Sequence, residues 1–113
     1  MRVYSKYQAI KDSACYYARE LGIDDYKKVR IHIYRLPHPH PKQGYIEYSI
    51  NGKPKEISLF VKLDEEREIT LAHEMVHIRQ VLARQGLDEI EAENLGQKLA
   101  KLLLDPYRIF SVF

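Results

Sequence analysis

The stretch from Ile69 to Gln80 reads ITLAHEMVHIRQ, with His73-Glu74-Met75-Val76-His77 at its centre. Residues four apart in a helix lie on one face, one turn apart. If this stretch is helical, both imidazoles face one side and can hold a single Zn²⁺, and Glu74 lies beside it, placed to take a proton from water. Two imidazoles and a carboxylate suit zinc better than harder cations. The competing reading is a pair of helix histidines with no metal. It is the weaker one, because Glu74 is in register, the helix is amphipathic and acidic residues follow on the next predicted helix.

A catalytic zinc takes three protein ligands and keeps one open position. No third histidine follows closely; Gln80 and Arg84 occupy that region. A carboxylate of the next helix is the natural alternative, and Glu89, Glu91 and Glu93 compete. Glu91 projects to the opposite flank from the other two. If two antiparallel helices reverse at Gly86, residues equally far from the turn stand side by side. His77 is nine residues before Gly86 (86−77), Glu93 seven after (93−86) and Glu89 three after (89−86). At about 1.5 Å per residue, Glu89 falls short by roughly 9 Å and Glu93 by roughly 3 Å. The wheel slightly prefers Glu89, but the distance argument makes Glu93 the expected ligand, with Glu89 the alternative.

The elements that must position these residues follow from periodicity. Tyr4 to Leu21 reads as a first helix, with Tyr7, Ile10, Ala14, Tyr17 and Leu21 at three- and four-residue steps and Gly22 as its stop. Val29 to Leu36 alternates as a strand, which puts His32 on its mixed face. Pro37-His38-Pro39-His40-Pro41 cannot continue a ladder and predicts an extended loop. Gly44 to Ile50 and Glu56 to Lys62 are further strands, joined through Asn51-Gly52, a hairpin signal. The active helix runs from about Glu65 to Ala83 and ends at Gly86. Asp88 caps a last helix that reaches Leu104, with Ala92, Leu95, Gly96, Leu99 and Leu103 on its core face. The expected fold is α+β in one domain over 1–113. A small, mostly antiparallel three-stranded sheet is backed by the N-terminal helix and leads into the active-site helix and a glutamate-bearing helix.

Composition narrows the remaining choices. The chain has 113 residues, 45% of them hydrophobic and 30% charged, with a net charge of +2. Its Lys and Arg are scattered rather than gathered in a stripe, so nucleic acid is not an expected partner. Cys15 is the only cysteine, which excludes an intrachain disulfide and reads as a buried thiol. No apolar run reaches membrane-spanning length and no leader pattern opens the chain, so a cytoplasmic protein without membrane insertion is expected.

His73-Glu74-Met75-Val76-His77, followed by the helix Glu89-Ile90-Glu91-Ala92-Glu93-Asn94-Leu95-Gly96, resembles the gluzincin metallopeptidases. The size and layout resemble the minigluzincins of the proabylysin type. The resemblance covers the whole chain in layout and rests on motifs only from about Ile69 to Leu104. It implies a minimal catalytic core made as a zymogen, its C-terminal segment blocking the cleft. Within residues 104–113, Tyr107, Ile109, Phe110, Val112 and Phe113 are too apolar for a free solvated end. Packing on the core, or at a dimer contact, accounts for them equally well.

The expected activity is zinc-dependent endopeptidase action. Zinc lies on His73, His77 and Glu93, Glu74 serves as base, and a peptide substrate runs along an edge strand, Glu56 to Lys62. Tyr107 and the loop histidines are the candidates for stabilising the oxyanion. Two rivals remain: a non-catalytic regulatory or binding protein that kept its zinc, and a domain in which zinc only supports the fold.

Overall fold

A computed structural model of the chain describes residues 1–49 and 55–105. The predicted Asn51-Gly52 turn and the tail residues 106–113 lie outside them. The order of elements is β1 (Arg2–Ser5), α1 (Gln8–Glu20), β2 (Val29–Leu36), β3 (Gly44–Ser49), β4 (Lys55–Lys62), α2 (Arg67–Leu82) and α3 (Glu89–Leu104).

Among the described residues the fold is α+β, but the sheet has four strands and is mixed, in the order β1-β2-β4-β3. β1 and β4 both run parallel to β2, and only β3 runs antiparallel, paired with β4. This corrects the expected three-stranded, mostly antiparallel sheet. Tyr4 and Ser5, expected to open the first helix, belong instead to a strand, Arg2–Ser5, whose Val3 is buried. A strand followed by a helix and a second strand closes most easily as a parallel pair, and β1-α1-β2 is such a unit. The Ser5 hydroxyl accepts from the backbone N–H of Tyr7 (3.1 Å), turning the chain out of the sheet into α1.

The topology also corrects the expected edge strand. β4 is paired on both sides, by β2 and by β3, so its backbone groups are spent. The edge on the α2 side of the sheet is β3.

The apolar residues of the inner sheet face, among them Ile31, Ile57, Leu59 and Val61, form one core with α1, α2 and α3. α2 is buried nearly all round, from Leu71 to Leu82, because the sheet, α1 and α3 all press on it. A polar bracket adds to this packing. Tyr17 and Ser13 of α1 donate to the two carboxylate oxygens of Glu68, at 2.8 and 3.0 Å. Burial, and then Glu68, push the Tyr17 phenol well above its usual range, so it stays a donor. Cys15 lies one position off this buried stripe and is exposed, contrary to the buried thiol expected.

Helix ends follow the expectation where local side chains decide them. Gly22 takes a left-handed φ of 70° after α1, as expected of a stop. Asp88 caps α3 by accepting from the N–H of Glu91. α2 ends at Leu82 with Ala83 as its cap, within a residue of the expected end, but Gly86 does not make the closure. Arg84 takes φ 58°, with Arg84 N–H bonded to Val81 O (3.0 Å) and Gln85 N–H to Gln80 O (3.1 Å). This is a Schellman closure with arginine in the place glycine prefers. The left-handed region costs an L-residue roughly 1–2 kcal/mol. Arg84→Gly is therefore expected to stabilise the fold by about 1 kcal/mol after the extra entropy of an unfolded glycine is set against it. A raised urea midpoint at unchanged slope would show this, and a lowered midpoint would contradict it.

Candidate metal centre

α2 carries His73, Glu74 and His77 on the side that faces α3 and the start of β3. The two imidazole rings lie 4.9 Å apart at 72°. Donor atoms of His73, Glu74 and His77 all lie within 4.8 Å of one another. His77 and Glu74 are buried and His73 is half-buried.

Glu89, from the first turn of α3, closes the group. Its Oε1 lies 2.8 Å from His77 Nε2 and its Oε2 3.2 Å from His73 Nε2. Glu93 reaches only the other ring nitrogen of His73, with Oε2 3.4 Å from Nδ1. Glu89, the alternative, thus stands against Nε2 of both histidines, whereas Glu93, the expected ligand, touches only Nδ1 of His73. The reason is angular. Gly96 packs so closely on α2 that an added Cβ would stand 2.9 Å from the backbone N and Cα of His73. Ala92, also fully buried, lies on the same line of α3. One step back along that line is Glu89, three residues before Ala92, whereas Glu93 is one position around the helix. The long glutamate side chain spans the axial distance that counted against it.

Gln80, three residues after His77, organises the site. It is fully buried and uses its whole amide. Its Oε1 accepts from the Asp88 N–H (3.0 Å), and its Nε2 donates to Asp88 O (3.0 Å) and Glu91 Oε1 (2.9 Å). Those partners fix which end of the amide is oxygen. His77 Nδ1, 2.8 Å from the same Oε1, must therefore be the N–H that donates to it. In the neutral ring this leaves Nε2 with its lone pair toward Glu89, the tautomer a metal ligand needs. A glutamine four-fold bonded at i+3 from a ligand histidine is legible only after the helix pair is known. Gln80→Leu would strand His77 Nδ1 and the Asp88 N–H, while the Asp88 carbonyl keeps the Ala92 N–H. A loss of at least about 2 kcal/mol in unfolding free energy is expected, and an unchanged denaturation midpoint would contradict it.

The donor set fits zinc. An imidazole lone pair and a carboxylate oxygen at 2.8 Å repel unless a proton or a cation lies between them. With Zn–N near 2.0–2.1 Å and tetrahedral angles, neighbouring ligand atoms stand about 3.3 Å apart. The observed 2.8 and 3.2 Å are close to that spacing.

Glu74 looks into a cleft of about 570 Å³ that His73, Glu93, Thr70, Gly44 and Lys42 also line. Burial pushes its carboxyl up from the usual range, against the opposing pull of His77 and His73. That direction suits a base acting near neutral pH. Gly44 opens β3 here, and an added Cβ would stand 2.6 Å from Thr70 Cγ2 and 3.5 Å from Glu74 Cγ. The edge strand therefore begins directly against the acidic residue. Of the proline-rich loop, Lys42 and Gln43 reach the cleft, while His40 stacks on Tyr45 instead (5.7 Å). His32 is satisfied away from the site, 2.8 Å from Glu56. Tyr107 lies outside the described residues.

Comparison with family models, curated proteins and solved structures returns no significant match. No helix among the described residues is long and apolar enough to cross a membrane.

Proposed function

We propose that the chain is a zinc-dependent endopeptidase of the gluzincin kind, with His73, His77 and Glu89 holding the metal and Glu74 as the base. The observation that carries this reading is the single carboxylate of Glu89 spanning the Nε2 atoms of both histidines, with His73 and Glu74 both lining the cleft. Bound there, zinc would lower the pKa of a water and polarise a scissile carbonyl.

The chain's own groups do the remainder. Gln80 holds His77 in its Nδ1–H form, and Glu93 stands behind Nδ1 of His73. Glu74 takes the proton of the attacking water at a carboxylate oxygen and delivers it to the leaving amine nitrogen. A peptide would lie extended along the open edge of β3, its backbone paired to the strand that begins at Gly44. Lys42 supplies positive charge to the cleft where the carbonyl oxygen gains negative charge.

The reading includes latency and a cytoplasmic setting. Removal of residues 107–113 is expected to raise the cleavage rate. Elemental analysis after zinc loading is expected to give about one zinc per chain. Chelation should then lower the unfolding free energy by about 4 kcal/mol relative to zinc held at a thousand times its dissociation constant. A chain that retains no zinc under these conditions contradicts the proposal.

A further inference from the structure

All three helices pack on one face of the sheet, and the other face is left uncovered by them. Cross-strand register places Tyr34, Phe60 and Tyr45 in one row of that outer face. Their rings stack, Tyr45 on Phe60 at 4.6 Å and 16° and Phe60 on Tyr34 at 5.4 Å and 30°. His40 extends the stack beyond Tyr45 at 5.7 Å and 24°. At the other end the row stops at Tyr34, which is 48% exposed. It stops because β1 is too short. Ser5 is the last residue of β1 and pairs with Ile33, so no β1 residue stands beside Tyr34.

In that place lies a cavity of about 700 Å³, lined among others by Tyr34, Tyr4, Tyr7, Lys6, Lys11 and Arg35. No Asp or Glu lines it. Among the described residues, Lys6, Lys11 and Arg35 make no ion pair, whereas Arg30 and His32 on the same sheet both contact Glu56. The volume is within the roughly 300–1,000 Å³ of small-molecule sites. Three unpaired cations and an open aromatic face select a ligand that is flat and anionic at once.

We propose that this cavity binds a nucleoside phosphate, free or as one unit of a single strand. Its base continues the ring row against Tyr34 and its phosphate lies among Lys6, Lys11 and Arg35. Base–aromatic stacking tolerates any base, and phosphate contacts weaken with salt. An acidic peptide would satisfy the cations but leave the ring row unused, so the nucleotide is the better fit. Lys6, Lys11 and Arg35 are far enough apart in sequence to look scattered; only the fold gathers them. The proposal runs against the expectation that nucleic acid is not a partner. The site shares no residue with the zinc centre, so either reading can fail alone.

The test is calorimetric titration of the full chain at low salt with AMP, adenosine, inorganic phosphate, oligothymidylate and polyglutamate. AMP is expected to bind at least about tenfold more tightly than adenosine or phosphate alone, and to weaken as salt rises. Tighter binding of oligothymidylate than of AMP identifies a strand as the source; binding no tighter identifies the free nucleotide. Tyr34→Leu and the double change Lys6→Glu with Lys11→Glu are each expected to weaken AMP by about tenfold or more. Both alter surface side chains, and an unchanged melting curve shows that the fold survives. No binding of either nucleotide probe overturns the proposal. So does polyglutamate binding as well as AMP, or AMP affinity unaffected by Tyr34→Leu.

Discussion

Glu89→Ala is expected to abolish stoichiometric zinc binding, while Glu93→Ala leaves zinc bound at reduced affinity. The two glutamates lie one helical turn apart on α3 and touch the same histidine, yet on different nitrogens. Glu89 shares the Nε2 side of both rings, where His77 presents its lone pair because Gln80 holds the proton on Nδ1. Without that carboxylate the centre keeps only two neutral nitrogen ligands, one short of the set a catalytic zinc uses. Glu93 stands behind His73, in the position of a group that orients a ligand and raises its basicity. Changes of that kind cost about 10–100-fold in metal affinity. Zinc titration against a competing chelator separates the cases. A larger loss with Glu93→Ala than with Glu89→Ala would return the ligand role to Glu93.

The second large effect is expected from Glu74→Gln, which keeps zinc and loses cleavage. The Glu74 carboxylate lies close enough to both histidines to be mistaken for a ligand. As a base its role is different: it must accept a proton and pass it on, and an amide can do neither. The contribution of such a group is about 10²–10⁴ in rate, so turnover should fall by that factor or more. The fold should not suffer. Glu74 is buried, its charge is opposed by desolvation, and glutamine keeps its shape. Zinc content at the wild-type level with cleavage lost is the expected pair of results. Loss of zinc would make Glu74 a ligand; retained cleavage would remove it from the mechanism.

How far the sequence carries these conclusions differs from element to element. β2 was legible to its last residue because eight alternating positions are a long signal. The cap of α3 was legible because Asp88 makes it locally, with its own side chain. The histidine pair was legible because helical spacing alone puts both rings on one side. β1 was not, since four residues are too few for a period and Tyr4 fits the three-residue steps of the helix that follows. The parallel pairing of β2 with β4 was hidden for another reason. β3 intervenes in sequence yet lies outside β4 in the sheet, and no local feature of β3 states which neighbour it will take. The end of α2 near Ala83 was legible, but Arg84 concealed what closes it, because the left-handed position is normally given to glycine and Gly86 stood nearby. Which of Glu89 and Glu93 stands against Nε2 of both histidines turns on the rotation of α3 about its own axis. That rotation is set by Gly96 lying against the backbone of His73, a long-range contact that axial distances do not contain. Gln80 was hidden for the same reason: its partners Asp88 and Glu91 come from the helix start it helps to fix.

The measurement that tests the central claim most directly is peptide cleavage as a function of zinc per chain. Metal-free protein lacking residues 107–113 is titrated with zinc, and the rate of hydrolysis of an unfolded polypeptide is followed. The expected result is a rate that rises linearly from the blank, reaches its plateau at about one zinc per chain and returns to the blank with chelator. A rate that stays at the blank while one zinc binds would contradict the peptidase reading and leave a centre that holds metal without catalysing hydrolysis.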